Sequence, residues 1–186
     1  MGLALDGAVR TRNPVPSAWW HGHKVGRMAV TAGDPAPPFS VPGTLDGERR
    51  TYTLEEFAGR PVVLIFYPGD NTPICTEQLN SYTDDIDQFL ALDAQLLAIS
   101  PEDLDSHEGF ADHQGGFAFP LLADVDKSLA EAYGVLGPVG FYRRCVFVVD
   151  GTGTLTYVHR GFAGSTFRTT DELVEAISAA RTAALG

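Results

Sequence analysis

The chain has 186 residues, and its 24 acidic residues outnumber the 13 basic ones, giving a formal charge of −11 at pH 7. An acidic surface of this size repels phosphate backbones and anionic lipid headgroups, which argues against nucleic-acid and membrane-surface roles. The longest strictly apolar run, residues 62–67, is far too short to cross a bilayer, and two cysteines cannot build a disulfide framework or a thiolate metal cage.

Residues 1–30 are predicted to form an irregular N-terminal arm ahead of one domain over residues 31–186. The arm holds four basic residues and one acidic residue, contains two prolines, and shows no helical or strand periodicity. No charged-then-apolar leader with a small-residue cleavage site opens the chain, so we expect the protein in the cytoplasm.

The most unusual feature of the arm is the pair Trp19 and Trp20, followed by His21 and His23. We expect the two indoles to pack on the domain or on a second subunit. A His-x-His metal site is disfavoured because no third ligand is clustered with the two histidines.

Short strands and then a buried strand are predicted at the start of the domain. Asp46 and Gly47 are a turn signal between two short strands. Thr53 followed by Glu56 fits a capping box that opens a short helix. Residues 61–67 are a β-branched and aromatic run without alternation, which is typical of a strand covered on both faces.

A helix, a strand and a second helix are predicted after this run. The first helix follows Cys75, and its apolar face is formed by Leu79, Tyr82, Ile86 and Phe89. Residues 94–100 are a second short apolar strand. Ser100 and Pro101 are predicted to be the N-cap and the first position of the next helix.

The last third of the chain predicts a short helix that ends at Gly134, a hairpin of strands over residues 145–149 and 155–159, and a final helix capped by Thr169 with Glu172. The inward residues of the final helix are Leu173, Ile177 and Ala180. Strands alternating with helices, then a hairpin and a closing helix, indicate an α/β fold. We expect a central mixed sheet with helices on both faces.

Cys75 is the leading candidate for a reactive side chain. A buried strand ends at Tyr67, and open α/β sheets place their sites at the carboxyl ends of strands. A thiol in a first helical turn faces unpaired N–H groups and the positive end of the helix dipole. An ordinary thiol is only about 3% ionised at pH 7, and making it mostly thiolate takes about 3.4 kcal/mol. A helix terminus supplies at most about 2 kcal/mol, so a nearby cation is needed. Without such a cation, Cys75 is equally well explained as a small buried apolar residue.

Two motifs supply the missing context. Pro68, Thr72 and Cys75 resemble the Pro-x-x-x-Thr-x-x-Cys motif of the peroxiredoxins, which are thiol peroxidases with a thioredoxin-like fold. Arg144, three residues before Phe147 on a predicted strand, resembles the second signature of that family. The similarity runs from about residue 32 to the final helix, and its details resemble the bacterioferritin-comigratory, or peroxiredoxin Q, branch.

The resemblance implies a role for each matching residue. Cys75 would be the nucleophile whose thiolate attacks peroxide and becomes a sulfenic acid. Arg144 would hold the thiolate and stabilise the departing oxygen, while the Thr72 hydroxyl would turn toward the sulfur and the peroxide. Pro68 would wall the pocket and limit access of water. Taken singly, Thr72 is also explained as a helix cap, Arg144 as a surface ion pair and Pro68 as a strand breaker.

Tyr67 and Gln78 also suit that branch, and the resemblance implies that they line the substrate pocket. Neither a metal nor an organic cofactor is implied. The implied partners are a peroxide, an external thiol reductant (a thioredoxin-like protein or a low-molecular-weight thiol), and a second subunit in a homodimer.

The chain departs from the branch at Asn80, where many members have a resolving cysteine. Cys145 follows Arg144 on a predicted strand, so the two side chains should point to opposite faces. If Arg144 reaches Cys75, a disulfide between Cys75 and Cys145 is geometrically poor. We therefore predict a structural Cys145 and a one-cysteine cycle.

Other readings stay open. A redox-sensing or interaction module could retain Cys75 with little turnover. A Cys–His protease would need His107, His113 or His159, but none lies in a protease signature, and the first two are predicted on a polar, exposed helix. A thioredoxin-type disulfide reductase is disfavoured because no Cys-x-x-Cys motif is present.

Overall fold

A computed structural model describes residues 29–161 and 166–183 of the chain. The tryptophan pair and the two histidines of the predicted arm lie outside these ranges. Val30, near the start of the first range, is buried, and its carbonyl accepts a hydrogen bond from Arg160 Nη2 at 2.6 Å. No helix in the two ranges combines the length and apolar character needed to cross a membrane.

The described ranges contain seven strands and five α-helices. The strands are β1 (Ser40–Leu45), β2 (Glu48–Thr53), β3 (Val62–Phe66), β4 (Gln95–Ser100), β5 (Leu121–Ala123), β6 (Cys145–Val149) and β7 (Leu155–Arg160). The α-helices are α1 (Pro73–Asp84), α2 (Ile86–Leu90), α3 (Leu104–Gln114), α4 (Ser128–Ala132) and α5 (Thr170–Ala183). Single 3-10 turns cover Glu55–Phe57 and Pro138–Gly140.

The strands form one mixed sheet in the order β2-β1-β5-β4-β3-β6-β7. β3, β4 and β5 are parallel, whereas β6 runs antiparallel to β3 with Cys145 opposite Phe66. The last residue of β3 and the first residue of β6 therefore lie side by side, at the same end of these two neighbouring strands. This pairing brings the loop after β3 close to Arg144, the residue before β6.

Two apolar cores lie on the two faces of the sheet, and alternate residues of β3 divide between them. Leu64 and Phe66 pack into the core that α4 helps to cover, while Val63 and Ile65 pack into the core covered by α1, α3 and α5. All five residues of β3 are buried, as its uninterrupted apolar run predicts. The prediction of a mixed sheet with helices on both faces is confirmed.

The local signals at helix ends are confirmed in some places and wrong in others. The capping box before α5 is confirmed, since Thr169 N–H donates to Glu172 Oε2 at 2.9 Å and Glu172 N–H donates to Thr169 Oγ1 at 3.3 Å. The box at Thr53 and Glu56 yields only a 3-10 turn: Glu56 accepts from Thr53 N–H at 3.0 Å, but the N-cap residue is Leu54.

The predicted N-cap at Ser100 is wrong. α3 begins at Leu104, and its N-cap is Asp103, whose side chain accepts a hydrogen bond from Ser106 N–H at 2.9 Å. Ser100 is the last residue of β4 and pairs with Ala123, so its extended backbone belongs to the sheet. A second difference lies in the first predicted helix, which is interrupted at Asp85 between α1 and α2.

Candidate active site

The loop between β3 and α1 delivers Cys75 to the first turn of a helix. Asn71 has a φ of 56°, a left-handed conformation that asparagine tolerates, and Thr72 returns to extended backbone as the N-cap of α1. Pro73 fits the first helical position because its missing N–H would be unpaired there. Cys75 is the third helical residue, so its thiol lies at the positive end of the helix dipole.

Arg144 lies directly before β6, and its side chain reaches Cys75. Nη2 donates to Cys75 Sγ at 3.2 Å, and the exposed fractions are 1% for Cys75 and 2% for Arg144. The Arg144 carbonyl accepts from Gly161 N–H at 2.8 Å. A Cβ at residue 161 would lie 2.7 Å from that carbonyl oxygen, so the close approach of the two strands requires glycine.

The charge of Arg144 has no carboxylate within ion-pair distance in the described part of the chain. Its Nη1 donates to the side-chain oxygen of Gln78, and its Nε is buried without a partner among the described residues. An unpaired charge in a protein interior costs several kcal/mol. A negative charge on the Cys75 sulfur would offset that charge directly.

Gln78 lies one turn after Cys75 on α1 and is fully buried. Its oxygen accepts from Arg144, and its Nε2 donates to the hydroxyl of Tyr82 at 3.3 Å. Both ends of the amide are therefore used to hold other side chains. The sequence indicates Gln78 as a pocket residue without showing that it supports Arg144, and its role toward a substrate stays a prediction.

Pro68 and Thr72 lie near the two ends of the loop between β3 and α1. Thr72 is exposed, and in the described structure its hydroxyl donates to the Gly69 carbonyl at 3.3 Å, so the predicted turn of that hydroxyl toward the sulfur is not present here. The carbonyl three residues earlier competes for the same donor. Pro68 is half-buried at the start of the loop. The catalytic roles of both residues stay predictions.

Comparison with known proteins identifies the family. The sequence model of the AhpC/TSA family matches residues 32–158. The chain belongs to this family of peroxiredoxins. It is 34% identical to peroxiredoxin-2 of Rattus norvegicus over 133 residues, which are 68% of this chain and 67% of that relative.

Solved structures agree with this assignment. The reduced 2-Cys peroxiredoxin of Plasmodium vivax superimposes with a TM-score of 0.77 at 25% identity, over 83% of this chain and 99% of that one. AhpC of Mycobacterium tuberculosis gives a TM-score of 0.76 at 26% identity, with the same two coverages. The predicted thioredoxin-like fold is confirmed, and so is the predicted enzyme class: the chain is a thiol peroxidase, an oxidoreductase.

Asp70 anchors the active-site loop of this peroxiredoxin, which the sequence did not indicate. Its Oδ1 accepts from the Tyr67 hydroxyl at 2.8 Å, and its Oδ2 lies 2.8 Å from Ser106 Oγ and 2.9 Å from His107 Nδ1. Burial and the neighbouring carboxylate raise the pKa of Tyr67, which keeps its hydroxyl a donor. One buried carboxylate thus ties the loop to β3 and to α3.

His107 is fully buried, so its prediction as an exposed residue is wrong, whereas His113 is exposed as predicted. The spacing of His107 and Phe110 puts both on the buried face of α3, a signal that the polar sequence of this helix obscures. His107 contacts Asp70 and Tyr67, and within the described ranges no histidine is hydrogen-bonded to Cys75. A Cys–His dyad is therefore absent there.

Cys145 lies in a different environment from Cys75. It packs into the core that α4 helps to cover, on the other face of the sheet from the core that contains Cys75. Burial raises the pKa of Cys145 to about 11, and both thiols are free. In the part of the chain that the structure describes, no group of three or more His, Cys, Asp or Glu side chains could hold a metal ion.

Proposed function

We propose that this peroxiredoxin reduces hydrogen peroxide or small organic hydroperoxides in the cytoplasm, through a one-cysteine cycle at Cys75. The observation that carries the proposal is the 3.2 Å contact between Arg144 and the Cys75 sulfur. A buried guanidinium without a carboxylate partner favours a thiolate beside it, and the thiolate is the form of cysteine that reacts.

The chemical step transfers two electrons from sulfur to peroxide. The Cys75 thiolate attacks one peroxide oxygen, an S–O bond forms as the O–O bond breaks, and the other oxygen leaves as hydroxide or alkoxide and takes up a proton. Arg144 stabilises the charge that develops on the departing oxygen, and the Thr72 hydroxyl can rotate from the Gly69 carbonyl to the peroxide. Pro68 limits access of water.

The burial of the sulfur limits the size of the substrate. Cys75 is 1% exposed, but the preceding residues Asn71, Thr72 and Pro73 are exposed. A sulfur this enclosed is reached by a small peroxide more readily than by a bulky one. Tyr67 and Gln78 form the inner wall behind the sulfur in this proposal.

An external thiol completes the cycle. The branch resemblance is to peroxiredoxin Q, but Asn80 occupies the position of the resolving cysteine, and its Nδ2 donates to Gln114 Oε1 at 3.1 Å. A thiol reductant attacks the sulfenic acid and releases water, and a second thiol then releases the Cys75 thiol and a disulfide. We propose a thioredoxin-like protein or a low-molecular-weight thiol as the reductant and a homodimer as the assembly.

Trapping the oxidised cysteine tests this cycle. The purified chain is treated with one equivalent of hydrogen peroxide, the sulfenic acid is captured with a selective reagent, and the product is mapped by mass spectrometry. We expect the label on Cys75 and none on Cys145. A disulfide between Cys75 and Cys145 would contradict the one-cysteine cycle, and oxidation no faster than that of free cysteine would contradict the peroxidase proposal.

A redox-sensing or interaction module with little turnover is the second candidate. The nearly complete burial of Cys75 favours it, because an enclosed sulfur that must be uncovered reacts slowly with oxidant and reductant. Steady peroxide consumption with an added thiol reductant distinguishes the two: sustained turnover supports the peroxidase, and a single oxidation without turnover supports the sensor.

A further inference from the structure

A chain of hydrogen bonds runs from Cys75 to the segment that leads into α5. Arg144 donates to Cys75 with Nη2 and to the Gln78 oxygen with Nη1. Gln78 Nε2 donates to the Tyr82 hydroxyl at 3.3 Å, and that hydroxyl donates to the backbone carbonyl of Arg168. The active-site cation is thus linked, through two side chains of α1, to a residue 93 positions beyond Cys75 in the sequence.

The direction of each hydrogen bond in this chain follows from its last member. A backbone carbonyl can only accept, so the single hydroxyl proton of Tyr82 points to Arg168 and its lone pair faces Gln78. Gln78 must therefore present its NH₂ group to Tyr82. Its oxygen then faces Arg144, which has only donors to offer. A reversed amide would set donors against donors at Arg144.

We propose that Tyr82 is a positioning residue, which fixes the Gln78 amide so that its oxygen holds the Arg144 guanidinium against Cys75. This inference rests on the proposed role of Arg144 in binding the thiolate. Burial also raises the pKa of Tyr82, so its hydroxyl stays a donor over the physiological pH range.

The segment that supplies the Arg168 carbonyl is held in place by neighbouring contacts. The ring of Phe167 packs edge-on against Tyr82 with centroids 6.1 Å apart, and Thr170 Oγ1 donates to Asp85 Oδ2 at 2.6 Å. Tyr82 also packs edge-on against Phe89. Tyr82→Phe therefore keeps the ring contacts and removes only the oxygen that orients Gln78.

The test compares Tyr82→Phe with Tyr133→Phe in the full-length chain. Tyr133 is a matched control, since it is fully buried and donates its hydroxyl to the Pro37 carbonyl at 2.8 Å, but it packs in the core that contains Cys145. The rate constant for Cys75 oxidation by hydrogen peroxide is measured across a pH series. We expect Tyr82→Phe to lower it about three- to tenfold, which corresponds to one hydrogen bond.

The pH profile separates positioning from general loss of stability. With Arg144 less firmly held, the thiolate forms at higher pH, so the midpoint of the rate profile rises in Tyr82→Phe and stays unchanged in Tyr133→Phe. Gln78→Leu supplies a second check, because it removes the amide through which Tyr82 would act on Arg144. In that background, Tyr82→Phe is expected to change the rate by less than about twofold, since the hydrogen bond it removes no longer orients the group that binds Arg144.

The outcomes are distinct. A wild-type rate no faster than free cysteine defeats the proposed function itself. A fast wild type with an equally fast Tyr82→Phe, or an equal loss in Tyr133→Phe, overturns the positioning role alone. If Tyr82→Phe does not fold, Thr170→Val, which releases the same segment from Asp85, must lower the rate in the same direction, and an unchanged rate overturns the inference.

Discussion

The two cysteines of this chain are equally free and almost equally buried, yet the groups in direct contact with the two sulfurs differ. Cys75 lies at the start of a helix, 3.2 Å from a buried guanidinium. Cys145 is the first residue of a β-strand and packs among apolar side chains, where burial raises its pKa to about 11 although Arg143 and Arg160 act to lower it. Burial alone therefore does not decide reactivity; the dipole and cation beside the sulfur do.

Replacing each cysteine in turn should give the largest change in peroxide consumption. Cys75→Ser is expected to abolish peroxide consumption, because no other described thiol has a cation in hydrogen-bond contact. Cys145→Ser is expected to keep the wild-type rate. Peroxide consumption with a thiol reductant measures both, and loss of turnover in Cys145→Ser would make Cys145 part of the cycle.

Removing the positive charge of Arg144 should have the second-largest effect. Arg144→Met keeps the length of the side chain without its charge, and we expect Cys75 oxidation to slow by about 100-fold or more. Arg143→Met is the matched control, because Arg143 binds the carbonyls of Gly134 and Val135 instead of a sulfur. Stopped-flow rates should leave Arg143→Met near wild type, and equal losses in the two variants would refute the role of Arg144.

Weakening the contacts that hold the loop before Cys75 should have an intermediate effect on the oxidation rate. Asp70→Asn weakens the anchors to Tyr67, Ser106 and His107, and we expect the oxidation rate to fall about tenfold because Cys75 and Arg144 are no longer held in register. The control is Asp150→Asn, which disturbs a hairpin carboxylate at the far end of β6. A rate that falls equally in both variants would point to global destabilisation instead.

The raised pKa of Cys145 predicts the smallest effect, on stability at high pH. Below the ordinary thiol range both folded and unfolded chains keep the proton, so the free energy of unfolding is unaffected. Between pH 9 and about 11 the unfolded chain loses that proton first, so stability falls as pH rises. Denaturant unfolding at about pH 9.5 should show about 1 kcal/mol of this loss in wild type. Cys145→Ala should lack it, and parallel curves for the two proteins would contradict the burial effect.

Local signals in the sequence predicted most of the fold. The apolar run of β3, the Asp46–Gly47 turn and the capping box of Thr169 with Glu172 each act over a few residues, so their outcome depends little on the rest of the chain. The prediction of an N-cap at Ser100 was wrong because a second capping residue, Asp103, follows three positions later. Ser100 pairs with Ala123 in the sheet, which leaves Asp103 as the N-cap of the helix. A pattern of neighbouring residues does not show which strand will pair with which.

Within the site, Cys75 was indicated by its position after a buried strand, whereas Arg144 was indicated only by a family motif. Cys75 and Arg144 are 69 positions apart, and the two motifs brought them together where periodicity could not. Asp70 with His107, and Gln78 with Tyr82 and Arg168, carry no such mark. Their contacts depend on how α3 and the segment before α5 pack against α1 and its loop, which is a property of the assembled tertiary structure.

The proposed chemistry of this site requires the buried charge of Arg144 to be balanced by a Cys75 thiolate. The most direct test uses Cys145→Ser, in which Cys75 is the sole thiol, and follows thiolate absorbance in the ultraviolet as the pH is varied. We expect a thiolate signal from Cys75 at pH 7 that disappears when Arg144→Met is added, because the guanidinium donates directly to that sulfur. A thiolate that forms only in the ordinary alkaline range, with or without Arg144, would contradict it.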